Sequence, residues 1–166
     1  KNISLEFIVD DDVPKNIWVD YIRLKQVLTN LLSNAVKFTE KGSVTFHIST
    51  IEYVNDKKVK ICFSVKDTGL GIDEENLKVI FDRFRRIEDE FSAELSGLGL
   101  GLAISKAYVE MLGGEISVKS QMKKGSVFSF TIPLVYDESI PISISKTKVN
   151  LEVKTTNQET ILIAED

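Results

Sequence analysis

Apolar and polar positions along this chain fall into two periods, near two and near three and a half, with sharp changes between them. Residues 3–9 place Ile3, Leu5, Phe7 and Val9 on one side of an extended segment, the pattern of a half-buried strand, which stops at Asp10, Asp11, Asp12 and Pro14. From Leu24 the period turns helical. Leu24, Val27, Leu28, Leu31, Leu32, Ala35 and Phe38 recur at three and four, which gives a helix one face suited to burial, and Asp20 stands where its N-cap falls. Trp18, just before that cap, is expected to pack into the core. Val44, Phe46 and Ile48 then alternate with Thr45, His47 and Ser49, and Val59, Ile61, Phe63 and Val65 alternate in turn. The Asn-Asp-Lys-Lys run at 55–58 between them is turn chemistry, so the two segments predict a hairpin. Asp73 starts a short helix through Leu77, Ile80 and Phe81. A longer helix opens at the glycine-rich run 97–102, with Leu100, Ile104, Ala107, Tyr108 and Met111 on its apolar side and Gly113-Gly114 as its stop. Residues 115–120 and 126–132 alternate again around a Lys-Lys-Gly turn and end at Pro133.

Composition narrows the class. A chain of 166 residues, 43% hydrophobic and 28% charged, can bury one good core and is too short for two ordinary domains. Its net charge of -4 gives no general attraction to nucleic acid or to an anionic membrane, so neither is expected as a partner and any phosphate site must be local. The one cysteine, Cys62, excludes an internal disulfide, and no Cys/His spacing fits zinc. No apolar run approaches the ~18 residues that span a bilayer. A reduced, cytoplasmic setting is the expectation.

Candidate chemistry lies in four places. Asn30, Asn34 and Lys37 stand at i, i+4 and i+7 on the polar flank of the first helix, within an arc of roughly 60°. Two mid-helix asparagines each cost on the order of 0.5 kcal/mol against alanine, so the stripe is either a solvated face or the floor of a site for phosphates and a metal. Asp67 ends a strand and is followed by Gly69 and Gly71, which form either a simple turn or one where backbone nears a ligand and a fixed carboxylate accepts from an exocyclic amine. Phe81 and Phe84 bracket Arg83, with Arg85 and Arg86 behind, ahead of an aperiodic acidic stretch to Ser96. This is either a surface charge cluster or a segment that closes over phosphate. Gly97, Gly99 and Gly101 open a helix whose unpaired N–H groups suit phosphate. A dinucleotide fold fails here, because the spacing is G-x-G-x-G and no strand precedes it. His47, mid-strand with no acidic neighbour, reads as an ordinary strand residue, and nothing local activates Cys62.

In their order, the Asn-x-x-x-Asn helix (26–39), the Asp-x-Gly-x-Gly turn (67–72), the Phe-x-x-Phe segment (81–86) and the Gly-x-Gly-x-Gly helix start (97–102) resemble the N, G1, F and G2 boxes of one family. That family is the catalytic, ATP-binding domain of sensor histidine kinases, in the GHKL superfamily. The resemblance implies a two-layer α/β sandwich of the Bergerat type, a mixed sheet with helices on one face, and the cofactors ATP and Mg2+. It implies Asn34 as metal ligand helped by Asn30, Lys37 on the phosphates, Asp67 on the adenine amine, and Gly69 and Gly71 shaping the base pocket. Gly97, Gly99 and Gly101 would line the phosphates, Arg83 and Arg86 would stabilise charge in transfer, and Phe38, Ile72, Leu98 and Leu100 complete the nucleotide-binding set. Leu98 departs from the hydroxyl residue common there, which leaves that contact to backbone N–H groups. Asn30 stands where related ATPases carry a glutamate base, so hydrolysis is expected to be slow. The implied organisation is a catalytic domain at 1–136, a linker with strand-like alternation (Ile140, Ile142, Ile144; Val149, Leu151, Val153) at 137–159, and a first receiver strand at 160–166 ending in Glu165 and Asp166. A hybrid kinase parent follows, whose phosphoacceptor histidine sits on an upstream dimerisation domain; this chain alone should not autophosphorylate.

Overall fold

The expected hairpin is the centre of a six-stranded mixed sheet in the computed structural model, which describes residues 1–82 and 100–137. The strands are β1 (Asn2–Val9), β2 (Ile17–Trp18), β3 (Lys41–Asn55), β4 (Lys58–Asp67), β5 (Glu115–Gln121) and β6 (Gly125–Tyr136). They run in the order β1-β3-β4-β6-β2, with β5 also on β6, and only the β1–β3 pair is parallel. The β3–β4 turn closes where Lys57 N donates to Asn55 Oδ1 at 3.0 Å.

Side-chain alternation gives the sheet one buried face. Val44, Phe46, Val59, Ile61, Phe63, Val65, Phe128, Phe130, Ile132 and Leu134 are all buried on it. Phe63 stacks on Phe130 at 4.9 Å between ring centroids and Phe46 on Phe63 at 6.5 Å, which runs an aromatic row across three strands. The other face carries His47, Ser49, Lys60, Cys62, Ser64, Lys66, Ser129 and Thr131, none of them buried, as a one-sided sheet requires. Helix α1 (Tyr21–Phe38) covers β3 and β4 with Leu24, Val27, Leu31 and Ala35, and helix α3 (Gly101–Met111) packs beside it. Between them in sequence, α2 (Glu74–Leu77) is a single turn. Two aspartates cap as expected. Asp20 accepts from Arg23 N at 3.1 Å and Asp73 from Asn76 N at 2.7 Å, and these bonds hold both carboxyls below the usual range.

Five expectations are corrected. The short helix expected from Asp73 through Leu77, Ile80 and Phe81 stops at Leu77, and Ile80 and Phe81 lie in the turns that follow, where the backbone closes three-residue bonds from Val79 N to Asn76 O at 3.1 Å and from Asp82 N to Val79 O at 2.9 Å. β1 is an exposed edge rather than a half-buried strand: Leu5, Phe7 and Val9 stand level with Val44, Phe46 and Ile48, but the helix layer does not extend over them, and Phe7 is 66% exposed. Trp18 is not core either. It sits in the two-residue strand β2 at 66% exposure, and Ile17 takes the inward position. The buried stripe of α3 runs through Leu102, Ser105, Val109 and Leu112, whereas Ile104 and Met111 face outward. A serine hidden in that stripe masks its phase. Finally, β6 continues past Pro133 to Tyr136, because β5 has ended by Thr131 and β2 begins only at Val135, so no strand needs an N–H from Pro133 on that side.

Candidate nucleotide-binding site

Asp67 is the best-defined group of the site. It is the last residue of β4 and is 5% exposed, and its Oδ1 accepts from Gly69 N at 2.8 Å and from Ser126 N at 3.2 Å. Both bonds fall on one oxygen, so Oδ2 has no partner among the described residues. Burial raises the pKa of this carboxyl above its ordinary value, and the two N–H bonds oppose that rise. A buried carboxylate with one oxygen held by backbone is a fixed acceptor.

The turn after Asp67 is held from two directions. Leu70 N donates to Phe38 O at 3.3 Å at the end of α1, where Gly69 lies so close to that carbonyl that a methyl group would overlap it. From the other side Lys123 N donates to Leu70 O at 2.6 Å, and Gly71, at φ +71°, lies against the Gln121 carbonyl. Any side chain at position 71 meets both the strained φ and the carbonyl. Ile72, which is buried, donates its N–H to Ser120 Oγ at 2.8 Å; that hydroxyl donates to Gly125 O and lies 2.9 Å from Ser126 Oγ. The β5–β6 hairpin is therefore the platform under the turn.

The polar stripe of α1 leads away from this platform. Phe38 is at the near end, 37% exposed, with Lys37 Nζ 5.3 Å from its ring centroid. Asn34 is half-buried one turn earlier, and its side-chain amide makes no hydrogen bond among the described residues. Asn30, one more turn along, donates from Nδ2 to Ser105 Oγ of α3 at 2.9 Å, and its Oδ1 lies against the Cα of Gly101. From Lys37 to Asn30 the stripe rises by about 10 Å. The far end thus meets the first turn of α3, whose N-cap Leu100 offers no side-chain capping bond, so its leading N–H groups have no side-chain cap among the described residues. Two groups of these residues are brought together: Asp67, Gly69, Gly71 and Ile72 in the turn held against Phe38 and the β5–β6 hairpin, and Asn30 with Gly101 and its neighbour Leu100 at the start of α3; Asn34 and Lys37 lie between the two groups along α1. Arg83, Arg86, Gly97, Leu98 and Gly99 lie outside the described residues.

Three serines carry this geometry without standing out as candidate chemistry in the sequence. Ser126 and Ser120 follow from the β4–β6 and β5–β6 registers, for which a single sequence has no signal; Ser105 has one, a shared face with Leu102, Val109 and Leu112. His47 does have an acidic neighbour: Nε2 lies 2.9 Å from Asp10 Oδ1, on the sheet face away from α1. Cys62 has its pKa raised by burial, as an inert thiol should. Thr39, fully buried at the end of α1, has an Oγ1 with no partner among the described residues. A shallow open groove lined by Lys1, Thr29, Leu32, Ser33, Val36 and Lys37 shares Lys37 with the stripe and includes none of Asn30, Asn34 or Asp67. Its lining holds no carboxylate that could serve as a fixed acceptor for a base.

A helix-backed mixed sheet with a buried acceptor at a strand end and a helix start beyond it is the arrangement expected of an ATP-binding sandwich. By sequence, the chain belongs to the histidine kinase-, DNA gyrase B- and HSP90-like ATPase family, whose model matches residues 19–136. Several of its relatives are named histidine kinases. Hybrid signal transduction histidine kinase B of Dictyostelium discoideum is 41% identical over 133 residues, covering 80% of this chain and 7% of that protein. Signal transduction histidine-protein kinase BarA of Escherichia coli is 38% identical over 142 residues, 86% of this chain and 15% of that protein. Among solved structures, full-length ShkA in complex with AMPPNP aligns with a TM-score of 0.66 at 33% identity, over 81% of this chain and 26% of that one. The chain thus spans a small part of each relative.

Proposed function

We propose that this chain binds Mg2+ and ATP along the stripe side of α1 and supplies the γ-phosphoryl group to a histidine on a separate domain. The Asp67 carboxylate is the observation that carries this reading. With Oδ1 held by two backbone donors, Oδ2 remains to accept from the exocyclic amine of adenine. Triphosphate laid from there along α1 passes Lys37 and Asn34 and reaches the open N–H groups of α3, where Gly97, Leu98, Gly99, Leu100 and Gly101 are assigned to the phosphates. Ile72 and Phe38 border the base, and Arg83 and Arg86 are assigned to charge developing in transfer.

The donor set fits magnesium. Asn30 and Asn34 supply neutral amide oxygens, and no cluster of three His, Cys, Asp or Glu exists among the described residues. Mg2+ ordinarily takes few protein oxygens and completes its shell with phosphate and water. When bound, it neutralises charge on the β- and γ-phosphates. Asn30 cannot take a proton from water, so hydrolysis has no base at that position. A histidine acceptor needs none, because the lone-pair nitrogen of imidazole is itself the nucleophile: the P–O bond to ADP breaks with its electron pair leaving on ADP, a P–N bond forms, and the other ring nitrogen then releases its proton to water. His47 does not serve, because it sits on the far sheet face.

The relatives' names support a hybrid parent with an upstream histidine-bearing domain and a downstream receiver. The sequence at 137–159 and 160–166 fits a linker and a first receiver strand; all of these residues except Asp137 lie outside the described ones. No helix among the described residues is long and apolar enough to cross a membrane, and a cytoplasmic location is part of this proposal. Calorimetric titration with a non-hydrolysable ATP analogue, with and without Mg2+, tests the site. Binding should be magnesium-dependent and weakened in both Asp67→Asn and Asn34→Ala. Folded wild-type protein that binds no nucleotide overturns the reading. Radiolabel from ATP should reach an acceptor domain supplied in trans and stay absent from the chain itself; label on His47 overturns the transfer assignment.

A further inference from the structure

We infer that Ser105 is a positioning residue that fixes the amide of Asn30 with its oxygen toward the first turn of α3; this rests on the proposed placement of phosphate and magnesium there. Ser105 is 1% exposed and Asn30 is its hydrogen-bond partner. An asparagine amide has a donor end and an acceptor end of nearly equal size, and a serine hydroxyl can meet either, so the direction follows from both contacts together: the hydroxyl takes the N–H2 end, and the positive end of the α3 dipole favours the oxygen on its side. Nδ2 is taken by Ser105 Oγ, which leaves Oδ1 against Gly101, where only the absence of a side chain gives it room. A carbonyl oxygen aimed at that turn is the right end to meet a cation or a metal-bound water; the amide N–H2 is the wrong one.

Stability does not explain the pair. Ser105 interrupts the apolar stripe of Leu102, Val109 and Leu112, and Asn30 faces it from α1. Replacing both partners of a buried hydrogen bond by apolar groups of similar shape is often neutral or stabilising. Both residues also disfavour helix against alanine. The pair is accounted for by the direction it imposes on one oxygen.

The test uses the whole chain with Ser105→Ala, Ser105→Thr, Ser105→Val, Asn30→Ala and Asn30→Ala/Ser105→Ala. One readout needs no nucleotide: the side-chain amide signal of Asn30 in a nitrogen-15 spectrum should shift in the Ala and Val proteins and return in Thr, which keeps the hydroxyl. The other is the gain in affinity that Mg2+ brings to a non-hydrolysable ATP analogue. It should fall about 3- to 10-fold in Ala and Val, the worth of one hydrogen bond, with little change without magnesium and none in the Asn30→Ala background. The threonine protein should keep the gain, and the Thr/Val pair separates the hydroxyl from packing. Equal losses with and without magnesium, or an undiminished loss in the Asn30→Ala background, make Ser105 merely structural and overturn the inference. An effect of Asn30→Ala with none of Ser105→Val overturns it alone. No effect of Asn30→Ala removes the magnesium role of Asn30 and the inference with it.

Discussion

The two ends of the proposed site are built differently. At the base end, Asp67 and the turn after it are held by backbone: Gly69, Ser126 and Lys123 contribute N–H donors, and Gly71 lies against a carbonyl of the neighbouring hairpin. At the phosphate end, one side-chain bond from Asn30 to Ser105 ties α1 to α3, and the leading N–H groups of α3 have no side-chain cap among the described residues. Backbone anchored in a sheet is rigid and unforgiving of added atoms, whereas a helix-to-helix contact through two short side chains can adjust. The base end is therefore preformed, and the phosphate end is where ligand and protein can adjust to each other.

Substitutions should expose that contrast, beginning with the most disruptive. Gly71→Ala combines left-handed strain with overlap against the Gln121 backbone and should cost about 2 to 4 kcal/mol. Thermal unfolding should show a drop on the order of 10 °C, with nucleotide binding lost. Asp67→Asn keeps an oxygen for Gly69 and Ser126 but replaces the acceptor facing the base. Affinity for the ATP analogue should fall about 10- to 100-fold by calorimetry, the worth of a hydrogen bond to a charged group. Stability should not fall at neutral pH, since the desolvated charge is gone.

The pH dependence of Asp67 sharpens the same point. Burial raises its folded pKa above the ordinary value it has when unfolded. Above the raised value both states are ionised and the fold bears the desolvation penalty; as pH falls through that value the folded form takes up its proton first and the penalty shrinks, vanishing below the unfolded pKa. Its contribution to stability thus improves on acidification, while nucleotide affinity falls through the same window because a protonated carboxyl no longer offers that acceptor. Both slopes should flatten in Asp67→Asn, as titrations and denaturant melts across pH can show.

At the adjustable end the effects are smaller. Gly101→Ala puts a methyl where Asn30 Oδ1 lies, but that oxygen ends a movable side chain and alanine favours helix by about 1 kcal/mol, so stability should hold. Magnesium-dependent affinity should drop several-fold, in contrast to the collapse at Gly71. Smallest of all, Thr39→Val removes an unpaired buried hydroxyl and should raise stability by about 1 kcal/mol in denaturant melts, with nucleotide affinity unchanged.

Much of this architecture is legible in the amino-acid sequence. α1 shows its cap and its core face in Asp20, Leu24, Val27, Leu31 and Ala35, because helical period and capping are local properties. The Asp67 turn and the glycine run are visible as chemistry for the same reason. Trp18 and Phe7 depart from expectation because alternation tells which side a residue takes and not where the covering layer stops. The phase of α3 is obscured because a buried serine looks polar in sequence whatever it bonds.

What the sequence determined by itself was most of the elements and their order, though not the short strand β2 or the end of α2, and which residues bring carboxylate, amide and N–H groups to them. All of these depend on neighbours within a few positions along the chain. Only the tertiary structure decided that Asp67 is held on Oδ1 and open on Oδ2, since its second donor, Ser126 N, comes from 59 residues away through strand register. The direction of the Asn30 amide was likewise decided by Ser105, 75 residues on. Hydrogen-bond direction is set by whatever partner the fold brings within about 3 Å, and local sequence carries no record of a partner that distant.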